Sequence, residues 1–169
     1  KMPRHAAHTG SEPLHVSLLA IPEATVSTLT GIFDVMNAFT MMARMGDSSL
    51  GPNPFRVEIV GEKTGPLELV SHVPVTVQRS FHDLDSSDIV IVPSIVLGPG
   101  GWQKDKHPQL VEWLRAMHAR GALLCSACSG IFLLAETGLF DGMDATVHFG
   151  YARDFACVFP GVRVHPQRV

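Results

Sequence analysis

The chain has 169 residues, 46% of them hydrophobic and 17% charged, with a formal net charge of −3. That length predicts one domain able to bury a core of its own. Its basic residues are scattered, which argues against nucleic-acid binding by this segment alone, and no apolar run reaches the roughly 18 residues a bilayer-spanning helix needs.

Residues 1–12 lack an apolar signal-peptide core and read as a disordered arm, leaving residues 13–169 as the domain. A strand is predicted over residues 14–21, broken by Pro22. Residues 24–45 then read as one helix, because Val26, Leu29, Ile32, Phe33, Met36 and Phe39 recur at helical spacing. Arg44 falls in its last turn and Gly46 suits the position just past its end. Methionines 36, 41, 42 and 45 could form an adaptable binding surface; core packing and a mobile helix end is the plainer reading. Residues 55–60 alternate as a strand, and residues 68–70 and 75–77 read as a short hairpin or edge excursion, with Pro74 in a turn or at an edge.

The run Asp88-Ile89-Val90-Ile91-Val92-Pro93 reads as a strand buried on both faces of a parallel sheet. The glycine-rich stretch 98–102 lacks the Lys-Ser/Thr ending of a phosphate loop and reads as a plain loop. Residues 108–120 form a predicted helix with Pro108 early, Val111, Leu114 and Met117 inward and Gly121 as its stop. A buried strand over 122–125 and an apolar helix over 130–136 follow, then a short strand over 145–149 bearing His148. Residues 151–158 read as helix, with Cys157 in the core, and residues 162–165 begin another strand just before Val169. This order is that of a doubly wound α/β sandwich with a mostly parallel sheet and helices on both faces. With the last strand starting so late, the closing strand and helix of such a fold are expected to be missing. Ligands in this architecture sit beyond the carboxyl ends of the strands, where Pro22, Ser94 and Cys128 fall.

Three cysteines form no even disulfide framework, and reduced thiols in a cytoplasmic protein are the simple account. Cys125 and Cys128 have C-x-x-C spacing, which invites a redox or metal reading. No second ligand pair follows at zinc-site spacing, so no metal and no cofactor is expected. Cys128 lies instead where a strand runs through small residues directly into a helix, the layout of a nucleophile elbow, with Ser126 and Gly130 small enough to avoid a clash. The helix start there favours a thiolate and offers N–H donors to a developing oxyanion.

Three segments carry a family resemblance: residues 21–36 with Gly31 and Asp34-Val35, residues 125–142 with Cys128 and Thr137-Gly138-Leu139-Phe140-Asp141-Gly142, and residues 145–149 followed by 159–164. Together they resemble the ThiJ/PfpI superfamily of class I glutamine-amidotransferase-like folds, and most of all the N-terminal domains of AraC-type (GlxA-like) transcriptional regulators. The resemblance implies Cys128 at the nucleophile position and His148, twenty residues later, at the histidine position. It implies that backbone N–H groups at Ser129 and after Pro93, at Ser94 and Ile95, line an oxyanion pocket near Gly130. Two departures matter. Enzymatic members place an acid early in the first helix, where this chain has Thr28, and Gly-Gly after the Val-Pro strand end, where it has Ser94-Ile95. Without that acid, proton transfer during hydration or hydrolysis lacks its partner, unless Glu23 reaches the pocket. The plainer reading of Glu23 is a helix-start acid or a solvated loop residue.

The resemblance thus implies a ligand-sensing and dimerisation domain: a homodimer that takes a small molecule, reaches DNA only through a helix-turn-helix domain outside this chain, and has no membrane contact. The alternative is a cysteine-dependent hydratase or hydrolase of the isocyanide hydratase or amidase type, with Cys128 attacking and Glu23 or His148 moving the proton. A third reading makes Cys128 an oxidation switch.

Overall fold

The computed structural model describes residues 12–47, 49 and 51–168; the arm expected over residues 1–12 lies, apart from Glu12, outside them. The first strand, β1 (Leu14–Leu19), leads into α1 (Val26–Met36) and α2 (Ala38–Arg44), then β2 (Phe55–Gly61). The helix predicted as one piece is two. Asn37 sits at the joint, and both its backbone N–H (3.1 Å) and its side-chain amide (2.9 Å) donate to the Phe33 carbonyl. A short polar side chain competing for a backbone carbonyl is what disfavours asparagine within helices. Gly46 does take the left-handed conformation past the helix end, at φ +89°. Of the methionines expected to pack, Met36 does lie half-buried against the core, whereas Met41, Met42 and Met45 are exposed.

A hairpin of β3 (Gly65–Glu68) and β4 (Pro74–Val77) follows, antiparallel from Gly65↔Val77 to Glu68↔Pro74. Its first arm starts three residues and ends two residues earlier than the sequence pattern suggests, and Leu69 is buried in the turn rather than along the strand. Next come β5 (Arg79–Ser80), β6 (Ile89–Val92), α3 (Pro108–Ala119), β7 (Leu123–Ser126) and α4 (Ile131–Glu136). The chain continues through β8 (Asp144–Ala145), α5 (Ala152–Val158) and β9 (Arg163–Val164), with β8 and β9 paired in parallel.

The central sheet is β5-β2-β1-β6-β7, and every pairing in it is parallel. From His15 to Leu19 every residue of β1 is buried, as expected of a strand covered on both faces. β7 is an edge strand among the described residues, and Leu123 is exposed, so the strand predicted there as buried is half-covered. Strand order reverses between β1 and β6: the chain builds outward through β2 and β5, then returns to the other side of β1. The crevice of such a sheet lies at the carboxyl ends of these two strands. Here the segments leaving them are laced together. Thr25 N–H donates to Ser94 O and Val96 N–H to Glu23 O, both at 2.8 Å.

Candidate functional site

At the carboxyl end of β7 the chain turns sharply. Ala127 N–H still donates to Val92 O at 2.9 Å, but Cys128 is at φ +49° and Gly130 N–H turns back to Ala127 O, also at 2.9 Å. A positive φ is uncommon in a residue with a Cβ, and it persists only where surrounding structure holds it. Two neighbours do so. A Cβ on Gly130 would sit 2.5 Å from Pro93 O and 2.7 Å from Val92 O, so only glycine lets the turn lie on the end of β6. The buried Ser129 hydroxyl accepts from Ile95 N–H (2.9 Å) and donates to Ile95 O (2.6 Å). Downstream, the fully buried run from Ile131 to Ala135 anchors the helix, with Phe132 edge-to-face on Phe155 at 5.0 Å. The turn is therefore built by packing, and it leaves the Cys128 side chain exposed.

What surrounds the sulfur is less than the sequence suggests. The Cys128 side chain has no hydrogen-bond or ion-pair partner among the described residues. His148 does not lie on a strand: it caps a 3-10 turn over Phe149–Tyr151, its Nδ1 accepting from Gly150 N–H at 3.1 Å and its ring 4.4 Å from that of Phe149. The strand breaks after Ala145 because only Asp144 and Ala145 find a partner, in β9. Thr28 hydrogen-bonds Thr25 Oγ1 at 2.6 Å and accepts Ser94 N–H at 3.1 Å. Ser94 Oγ meets Ser129 Oγ at 3.0 Å, completing a ladder of hydroxyls across the crevice. Both N–H groups after Pro93 are thus already donated to side chains, to Thr28 and to Ser129. Cys125, half-buried, has its thiol pKa pushed up by burial. Cys157 is exposed on α5 rather than in the core.

Glu23 goes elsewhere. Its carboxylate pairs with the Lys106 ammonium and lies 3.2 Å from His107 Nε2, both at the start of α3. The His107 hydrogen bond, opposed by partial burial and aided by Lys106, holds the Glu23 carboxyl at about 2, well below its ordinary value. A cavity of about 530 Å³ lies beside this cluster, walled by the ends of β1 and β2, the β3–β4 hairpin and the start of α3. A smaller one of about 90 Å³ lies on the other side, between Glu23 and the 98–102 loop. Cys128 lines neither. Lys106 and His107 carried no motif in the sequence. Their one signal was position, since a helix that follows a parallel strand begins at the carboxyl end of the sheet, next to Pro108 at its first turn.

Comparison with known proteins places this architecture. Residues 26–164 match the DJ-1/PfpI family. The chain belongs to that family. Within it, 112 residues are 27% identical to the HTH-type transcriptional regulator CdhR of Pseudomonas aeruginosa, an alignment covering 65% of this chain and 32% of that protein. The chain therefore spans about a third of the length of that curated relative. Among solved structures, a protein from Vibrio parahaemolyticus described as a transcriptional regulator superposes with a TM-score of 0.73 at 22% identity, covering 92% of this chain and 78% of the other. An AraC family transcriptional regulator from Pseudomonas putida gives 0.71 at 17% identity, over 91% and 77%. At these identities the structures attest the DJ-1/PfpI fold. Among the described residues no helix is long and apolar enough to cross a membrane.

Proposed function

We propose that the chain is the ligand-sensing and dimerisation domain of a cytoplasmic AraC-type transcriptional regulator, in which Cys128 does not turn over substrate. The observation that carries the reading is the occupant of the acid's place: the Thr28 hydroxyl accepts Ser94 N–H, so the position that serves proton transfer in enzymatic relatives is a structural tie here. The likeness to CdhR supports the regulatory half of the reading. The small molecule enters from the carboxyl ends of the strands, and DNA is met by a separate helix-turn-helix domain. The exposed apolar residues Val35 on α1, Met41 and Met42 on α2 and Met45 just past its end offer a surface for a second copy. Signalling requires that the ligand bind two arrangements of the dimer unequally.

The test takes the full coding region that contains this sequence and measures retardation of its own upstream DNA with and without a panel of small metabolites. Ligand-dependent retardation supports the reading. A product that leaves DNA unshifted but turns over isonitriles or amides, with turnover abolished in Cys128→Ser, establishes the cysteine-dependent hydratase or hydrolase instead. The exposure of Cys128 keeps that second reading, and the oxidation switch, open to direct test. For the switch, mild peroxide should add oxygen to Cys128 before Cys157.

A further inference from the structure

The cavity of about 530 Å³ differs in kind from the surroundings of Cys128. Its walls are apolar where Ile21, Leu67 and Phe81 line it, while Lys63 and Lys106 bring two positive charges to its lining against the one carboxylate of Glu62. Lys63 has no ion-pair partner among the described residues. Lys106 has one, Glu23, and that pair stands at a boundary: Lys106 and His107 line both cavities, whereas Glu23 lines only the smaller. At about 530 Å³ the space is in the range that holds small organic ligands, with apolar walls and few polar groups to fix orientation.

We propose that this cavity binds a small amphipathic monocarboxylate, its alkyl body against Ile21, Leu67 and Phe81 and its carboxylate taking Lys106 in competition with Glu23. This deepens the sensor reading, on which it rests, by naming the ligand class and the site. Glu23 lies in the segment that joins β1 to α1, and its carbonyl accepts Val96 N–H. A ligand that frees Glu23 from Lys106 loosens one tie between that segment and α3, which gives bound and free states different contacts.

Calorimetric titration of the intact chain with the straight-chain series from butanoate to octanoate tests this, with hexan-1-ol and hexylamine as comparators. Saturable binding of the acids, strengthening with chain length and absent for hexylamine, is expected. Lys106→Met should weaken binding about tenfold, the scale of one charge-assisted contact. Glu23→Gln, which removes the competitor, should strengthen it severalfold. The opposite signs separate ligation from general damage to the fold, since damage weakens both. Leu67→Trp, filling the cavity, should abolish binding, with far-ultraviolet circular dichroism reporting whether it folds. No binding across the acid series to the wild-type chain overturns the proposal, as does equal affinity in wild type, Lys106→Met and Glu23→Gln. If the acids fail while another metabolite alters DNA retardation by the full product, the cavity assignment falls and the sensor reading stands. If the acids bind here and nothing affects DNA, the reverse holds.

Discussion

The Cys128 turn and the Glu23 corner both lie at the carboxyl ends of the sheet, but opposite kinds of interaction build them. The turn is tightly packed and chemically bare: Cys128 at φ +49°, held by Gly130 and by a buried serine, with no acid or base among the described residues bonded to its thiol. The corner is charged and hollow. A carboxylate there is clamped by a lysine and a histidine between two cavities. The sharp turn at Cys128 is thus built by packing, while the charged groups at the same end of the sheet, Glu23, Lys106 and His107, belong to no motif. In the first region backbone sterics dominate. In the second, electrostatics of partly buried groups dominates.

If that contrast is right, the turn should break on steric insult and be insensitive to charge. Gly130→Ala tests it most severely, because the new methyl meets two backbone carbonyls, which cannot swing aside as a side chain can. The expected loss is about 3 kcal/mol, the upper end for overpacking, read as a lowered urea midpoint at constant slope. An unchanged midpoint would mean the turn does not press on β6. Ser129→Ala should follow at about 2 kcal/mol, since it strands the Ile95 N–H and C=O in a buried position. If that variant were neutral, the hydroxyl ladder would be ornament rather than support.

How much of this the sequence displayed depends on the range of the interaction concerned. The parallel sheet followed from β-branched runs such as residues 89–92, and Pro108 and Gly121 marked the ends of α3 because they act through their own backbone. The sharp turn at Cys128 was readable for the same reason, from Ser126 to Gly130. Asn37 was not: whether asparagine tolerates a helix depends on whether its side chain captures the carbonyl four residues back, and only coordinates settle that. The strand assigned to residues 145–149 failed because a strand needs a partner, and β9 reaches only Asp144 and Ala145. Glu23 stands out in the sequence, but its partners are 83 and 84 residues away, beyond any local pattern. Thr28 is legible as a departure from the enzymatic pattern, yet its bond to Ser94 N–H is written in neither residue alone.

The Glu23 corner should break on charge. Its carboxyl sits at about 2 in the folded chain against an ordinary value near 4.5, so the folded state binds the proton less tightly than the unfolded state. Folded pKa below unfolded means that the stabilisation is complete above about pH 5 and is lost as pH falls through 4.5 toward 2. Because the carboxylate is partly solvated, the contribution expected at neutral pH is only about 1 kcal/mol. Unfolding free energies of wild type and Glu23→Gln should therefore differ by that amount at pH 6 and converge by pH 2. A gap that persisted at pH 2 would put the effect in packing and not in charge.

The smallest expected effect separates the two regions most finely. His148 is exposed, and its interactions among the described residues are local: one hydrogen bond from Gly150 N–H and ring contacts with Phe149 and Tyr151. Gly150 can recruit water in place of Nδ1 at such a site, so His148→Ala should change stability by no more than about 0.5 kcal/mol. The informative readout is chemical. Thiol alkylation follows the thiolate fraction, and a base bonded to sulfur raises that fraction at neutral pH. With no such bond, the iodoacetamide rate of Cys128, resolved by peptide mass spectrometry, should change by less than about twofold in His148→Ala. A fall of tenfold or more would mean that imidazole and thiol act as a pair in solution. The bare turn would then be a catalytic one, and the contrast with the Glu23 corner would collapse.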